Sequence, residues 1–249
     1  MLAVQGGGAV SVVRGEILAF DAGMMWHVVF DLLASALAFQ AMRLGHRHWM
    51  AGVDLPAFRP AYGVALVIGA VMGAYGLGTA NLWLSGLPGM GRSILGALCG
   101  AVGAIEVYKA VSGVKGSTGL VFVPAFCVAV VVGRVGCFLA GLPDQTYGIP
   151  SALPWAVDFG DGIRRHPVQL YESALMAGFL GLAVWAVPHW PSFRADAFYL
   201  MTGFYAVERF GLEFLKPYAA LLGPLNIFHL ACLGLLAYSV AMILRRPDV

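Results

Sequence analysis

Two arginines stand in apolar surroundings and could each grip an anion. Arg134 lies in Gly133-Arg134-Val135-Gly136-Cys137, within a long apolar run. A guanidinium stays charged at any reachable pH and can take a phosphate bidentately. An arginine that only snorkels to the headgroup layer is the competing reading. The flanking Gly133 and Gly136 would let backbone approach a ligand or a neighbouring helix. Arg209 lies in Tyr205-Ala206-Val207-Glu208-Arg209-Phe210-Gly211-Leu212-Glu213. On a helix Tyr205, Arg209 and Glu213 share one face, which must point into a bundle or a wet cavity. A structural Arg–Glu pair fits that pattern as well as a binding site does.

Other groups could move protons. His166 is followed by Pro167, then Gln169, Tyr171 and Glu172. Histidine titrates near neutral pH, so His166 is a candidate base, or an interfacial residue bonded to a loop carbonyl. His27 and Asp31 are spaced i,i+4 in the first apolar run, and Asp31 needs a partner there. Glu106 and Lys109, at i,i+3, read as an ordinary ion pair. Cys137 stands one turn from Arg134 and reads more readily as a small hydrophobe than as a nucleophile. The turn-rich Asp158-Phe159-Gly160-Asp161-Gly162 stretch sits beside Arg164 and Arg165 and reads as a loop capping the site. The four cysteines, Cys99, Cys127, Cys137 and Cys232, have no metal-ligand spacing and suggest no disulfide framework. No metal and no cofactor is expected.

The elements that must carry these groups are membrane helices. Of 249 residues 60% are hydrophobic and 11% charged, and the mean hydropathy is +0.81. A soluble domain is about 45–50% apolar and about 25% charged. The net charge of +2 is too small to point to nucleic acid. At about 20 residues per span, the sequence predicts an all-α integral membrane protein of about seven spans in a single domain, 1–249. The spans fall at about 23–43, 60–80, 93–112, 118–140, 168–188, 196–215 and 226–245. The 33 glycines suit close helix contact. The 141–167 segment is a long loop.

Basic residues set an expected orientation. Arg43, Arg47, Arg59, Lys109, Lys115, Arg194, Arg245 and Arg246 gather on one side, the cytoplasm. The N-terminus is then outside and 141–167 extracytoplasmic. Arg92, Arg134, Arg164, Arg165 and Lys216 fall at the outer ends of spans, against the tendency, as expected where phospholipid phosphate is bound. Arg14 precedes the first span.

These residues together resemble the prolipoprotein diacylglyceryl transferase family. Its signature appears as Gly133 to Gly141, Gly148, Leu153-Pro154-Trp155 and Arg165-His166-Pro167-Val168-Gln169-Leu170-Tyr171-Glu172. Its Tyr-x-x-x-Arg-x-x-x-Glu-Phe helix is similar to Tyr205, Arg209, Glu213 and Phe214. The family's signature asparagines are Cys137 and Ala140 here. Its His-Gly-Gly-Leu segment is matched only by Leu95-Gly96-Ala97-Leu98, without the histidine, and Leu142 or Asp144 occupies the place of a family acidic residue. The resemblance implies seven spans, an outer N-terminus and the bacterial inner membrane. It also implies transfer of a diacylglyceryl group from phosphatidylglycerol to the lipobox cysteine of a preprolipoprotein signal-peptide region.

Arg134, Arg209 and His166 are then the expected catalytic residues. Gly133, Gly136, Cys137, Arg165, Gln169, Tyr171, Glu172, Tyr205 and Glu213 are expected to bind substrate. His27 and Asp31 are secondary candidates for the base. The departures keep two alternatives open: a phospholipid-dependent transferase with another acceptor, and a non-catalytic phospholipid-binding protein.

Overall fold

The computed structural model describes residues 22–50 and 59–245. Arg14, Arg246 and most of the break between the first two expected spans lie outside the described residues. Seven long helices are present among them: α1 (Ala22–Trp49), α2 (Pro60–Leu84), α3 (Ile94–Ser112), α4 (Val123–Ala140), α5 (Val168–His189), α6 (Pro191–Glu213) and α7 (Ile227–Leu244). They coincide with the seven expected spans to within a few residues at most ends. Six are long and apolar enough to cross a membrane. The exception is α6, the helix that carries Arg194, Asp196, Glu208, Arg209 and Glu213. The chain is an all-α integral membrane protein.

Local chemistry sets the helix ends. Ser93 caps α3 by accepting from the Gly96 amide at 3.1 Å, and Gly113 closes it at φ 68°. Asn226 and His229 form a reciprocal capping box on α7, which satisfies amides that no helix carbonyl can reach. Pro60, Pro124 and Pro191 stand in first turns, where a missing N–H costs nothing.

Helices pair α1 with α4, α2 with α3, α4 with α5, α5 with α6, and α6 with α7. Lipid is as apolar as leucine, so close fit rather than hydrophobicity must hold such pairs. Gly69 and Gly73 of α2 face Gly100 and Gly96 of α3. A Cβ on Gly69 would stand 2.5 Å from the Ala104 methyl. This four-residue glycine spacing on both helices permits backbone contact that larger residues would forbid. The core runs down the middle through Val123, Cys127 and Val130 of α4, Met176 and Ala183 of α5, and Met201 and Tyr205 of α6, all buried. Large apolar side chains such as Leu32, Met72 and Val111 face outward.

The 141–167 segment is more ordered than a plain loop. Val157–Asp158 and Arg164–Arg165 form a two-stranded antiparallel ribbon, an element that hydropathy does not reveal. Asp158 Oδ1 accepts from the Gly160 and Gly162 amides at 2.8 and 3.0 Å and so fixes its turn. The loop is tied to the bundle by the Ile149 amide on the Leu215 carbonyl at 2.7 Å. The Tyr218 hydroxyl donates to the Gln145 carbonyl at 2.8 Å. Gly148 is required there, because a Cβ would lie 2.5 Å from the His166 carbonyl oxygen.

Candidate active site

Glu172, in the first turns of α5, is the focus of the charged residues. It is fully buried. Arg134 Nε of α4 lies 2.8 Å from its Oε1. The Arg209 guanidinium of α6 donates to its Oε2 at 2.9 Å. The Tyr205 hydroxyl donates to Oε1 at 3.1 Å, and Lys216 Nζ stands 3.9 Å from Oε2. Arg209 also meets Glu213 Oε2 at 3.0 Å, and Asn226 Nδ2 donates to Glu213 Oε1 at 3.0 Å. The Ser173 hydroxyl bonds the Val131 carbonyl at 2.8 Å and locks α5 to α4 beside this knot.

Counted at ion-pair distance the charges do not balance; a further buried carboxylate, Glu208 of α6, has no ion pair at that distance among the described residues. Arg134, Arg209 and Lys216 meet two carboxylates, Glu172 and Glu213. A buried excess of positive charge is costly unless an anion joins it. Burial, with Arg209 close by, pushes the Lys216 ammonium down to about 7, the response expected of a cation that lacks full compensation.

Arg134 and Arg209 form part of the wall of a cavity of about 780 Å³. The cavity is also lined by His27, Asp31, Arg92, Cys137 and Asp144. His27 Nε2 is 2.8 Å from Asp144 Oδ1 and 3.9 Å from Cys137 Sγ. Its Nδ1 is 3.0 Å from Asp31 Oδ2, and Arg92 reaches Asp31 at 3.2 Å. Asp144 accepts from the Thr146 hydroxyl, to which Gln169 Nε2 donates at 3.3 Å. Arg134 NH1 stands 3.9 Å from Cys137 Sγ. The cavity thus has an anion-seeking side and a side able to hold a thiol or a cation.

The expected site residues divide into three groups. Gly133, Arg134, Arg209, Cys137, His27 and Asp31 line the cavity. Glu172, Tyr205 and Glu213 stand behind the arginines and orient them, and Gln169 supports Asp144 through Thr146. Four others are elsewhere. His166, expected as a catalytic base, is not among the cavity residues; its Nδ1 lies 3.4 Å from the Tyr171 hydroxyl. Tyr171 accepts from Trp155 Nε1 at 2.7 Å. Arg165 is bidentate to Asp161, at 2.6 and 2.7 Å, and its guanidinium lies 5.0 Å from the Tyr147 ring centroid. The physical reason is shared: the ribbon and the start of α5 turn these side chains into the loop, where they hold it together. Gly136 serves α1 rather than a ligand, since a Cβ would stand 2.4 Å from the Phe30 Cβ.

The sequence model of the prolipoprotein diacylglyceryl transferase family matches residues 64–245. The chain belongs to the prolipoprotein diacylglyceryl transferase family. It is 33% identical over 168 residues to a protein of Nitratidesulfovibrio vulgaris named phosphatidylglycerol–prolipoprotein diacylglyceryl transferase, covering 62% of this chain and 60% of that one. Identically named proteins of Geobacter sulfurreducens and Bordetella avium are 33% identical over 134 and 173 residues. These cover 51% and 66% of this chain, and 50% and 56% of theirs. The chain spans about half to three fifths of the length of the curated relatives it matches.

Family membership gives the knot around Glu172 its context, because Arg134, Glu172, Tyr205, Arg209 and Glu213 are all residues through which the chain resembles the family. The departures also converge. Cys137, which stands where the resemblance places a family asparagine, is clustered with His27 and Asp144 at the cavity. From sequence, Lys216 is named only among the outer basic residues and Asp144 only at a family acidic place, and Thr146, Tyr218 and Asn226 are not singled out. Asp144 offered one signal, its position just past the signature. Lys216 offered another, a basic residue at a span end where positive charge is disfavoured.

Proposed function

We propose that this protein transfers the diacylglyceryl group of phosphatidylglycerol to the lipobox cysteine of a preprolipoprotein. The observation that carries the reading is the meeting of two buried arginines, with one positive charge in excess, at the wall of a cavity large enough for a lipid headgroup and a peptide side chain. Arg134 and Arg209 hold the phosphate and stabilise the charge that builds on the leaving glycerol phosphate. Glu172, Tyr205 and Glu213 keep both forks pointed before substrate arrives, so little reorganisation is needed during reaction. The acceptor thiol has a free pKa of about 8.5 and must become a thiolate. The His27 side of the cavity is where it does so. Phosphatidylglycerol and the prolipoprotein are the substrates named for the relatives.

The reading puts the protein in the bacterial cytoplasmic membrane. Its N-terminus and 141–167 loop face outward, and its C-terminus faces the cytoplasm. The ends of α4 and α6 and the starts of α1 and α5 then gather at the outer leaflet. A phospholipid-dependent transfer to a different acceptor is the second reading, favoured by Cys137 where the family has asparagine.

The test is an assay with labelled phosphatidylglycerol and a lipobox peptide. Labelled peptide is the expected product, and Arg134→Ala and Arg209→Ala should lose it while still folding. Headgroup release without labelled peptide would favour the second reading. Full activity in both variants would remove the site assignment.

A further inference from the structure

The residues on the thiol side of the cavity form a set of metal donors. His27, Cys137 and Asp144 present one nitrogen, one sulfur and one oxygen, all within 4.8 Å of one another. They come from α1, α4 and the single turn Leu142–Asp144 after it, so no spacing in the sequence brings them together. A tetrahedral zinc ion with ordinary bond lengths separates N from O by about 3.4 Å and N from S by about 3.6 Å. The observed separations are 2.8 and 3.9 Å, so His27 and Asp144 would have to part by about 0.6 Å and His27 and Cys137 to close by about 0.3 Å to seat the ion. Outer partners are also present. Asp31 Oδ2 stands 3.0 Å from the far nitrogen of His27, the usual backing for a metal-bound imidazole. The Thr146 hydroxyl, tied to Gln169, bonds the other oxygen of Asp144.

Two carboxylates, Asp31 and Asp144, flank His27, with Arg92 on Asp31 and Arg134 NH1 3.9 Å from the Cys137 sulfur. Soft sulfur with imidazole selects zinc over the hard cations. A nucleophilic Cys137 fits the reaction poorly. A diacylglyceryl group on its sulfur would be held by a thioether, whose sulfur does not leave.

We propose that His27, Cys137 and Asp144 bind a zinc ion whose fourth position opens on the cavity and takes the acceptor thiol as a thiolate. The proposal rests on the transfer reading above and supplies its activation step. The ion would favour the thiolate form of the acceptor, whose proton passes to solvent. The sulfur then attacks the glyceryl carbon that bears the phosphate ester. The C–O bond breaks, its electron pair stays on the phosphate oxygen held by Arg134 and Arg209, and glycerol phosphate leaves. No electrons are gained or lost overall.

Metal content of the purified full-length protein, measured by mass spectrometry, should be about one zinc per chain and should fall to background in Cys137→Ser and His27→Ala. Cobalt substituted for zinc should give a near-ultraviolet thiolate charge-transfer band. The band should strengthen with a lipobox peptide but not with its cysteine-to-serine version. Retained phosphatidylglycerol in Cys137→Ser would show that the variant is folded. Wild-type protein without bound zinc or cobalt would overturn the proposal, as would a band that survives Cys137→Ser or ignores the peptide. Full transfer by chelator-stripped protein would overturn the zinc site and leave the transfer reading. A band that responds to peptide, with no labelled product, would keep the site and remove the transfer reading.

Discussion

The bundle holds buried charge beside a cavity at each of its two ends, and the two arrangements differ in balance. At the far end from Arg134, Lys109 donates to Glu106 at 2.9 Å, one turn away on the same helix. Tyr238 of α7 donates to the same carboxylate at 2.8 Å. One cation meets one anion, and a cavity of about 360 Å³ beside them also touches Tyr62, Thr118 and Tyr199. At the other end three cations meet two carboxylates, from three helices and the turn after α6. A cavity is present in both places, so the cavity does not distinguish them. The uncompensated charge does. A closed pair on one helix has no further use for an anion, whereas the knot around Glu172 is completed by one.

The largest effects should come from removing the excess. Arg134→Ala or Arg209→Ala is expected to lower transfer by about 10²–10³-fold, the loss seen when one charge-stabilising donor is removed. Lysine should rescue poorly, because it lacks the planar fork. Lys109→Ala is the matching change at the far end and should leave the transfer rate of folded protein nearly intact. Equal losses at the two ends, measured with labelled phosphatidylglycerol, would erase the distinction.

Glu172→Gln tests the knot as structure. It leaves two arginines without their shared carboxylate, and breaking a buried pair in this way costs about 3–5 kcal/mol. Thermal unfolding in detergent should show a clear drop. Glu106→Gln should cost less than this, because Glu106 is part-exposed and one buried cation, Lys109, loses its carboxylate there rather than two.

A third difference is in pH response. The Lys216 ammonium is pushed down to about 7 by burial and by Arg209, while Glu213 and Glu172 oppose and Arg134 adds to the shift. Below about pH 7 it is charged in the folded protein; above, it is neutral until the ordinary lysine value of 10.5 is reached in the unfolded chain. The unfolded chain therefore holds the extra proton between these limits, and stability should rise with pH across that window. An anion beside Nζ draws the proton back, so phosphatidylglycerol binding takes up a proton and weakens as pH rises above about 7. Lys216→Met should flatten the binding profile. A profile with the same slope in that variant would place the titrating group elsewhere.

The comparison also marks what could be read from sequence. Seven helices were legible because hydropathy and Pro/Gly breaks act locally, and even the polar α6 was found through its Tyr205, Arg209, Glu213 spacing. The arginine partnership was legible because each arginine is anomalous on its own helix. Glu172 as the common partner was not, since nothing local distinguishes a carboxylate that binds substrate from one that binds two arginines. His166 looked stronger than His27 because it sits in a dense motif. The fold reverses that order: His166 helps build the loop, and the histidine at the cavity, His27, comes from α1, 139 residues earlier. Asp144 was hidden for the same reason, its partner lying across the bundle.

The smallest expected effect is at the far end. Tyr238→Phe removes one hydroxyl that donates to Glu106 and leaves the Lys109–Glu106 pair in place. The carboxylate keeps a cation and is part-exposed, so the loss should be that of one hydrogen bond, about 1 kcal/mol. Transfer measured below the unfolding transition should not change, because nothing at that end shares a charge with Glu172. A fall in transfer with unchanged stability would mean that the far cavity communicates with the arginines, and that a balanced pair can serve the reaction as an unbalanced one does.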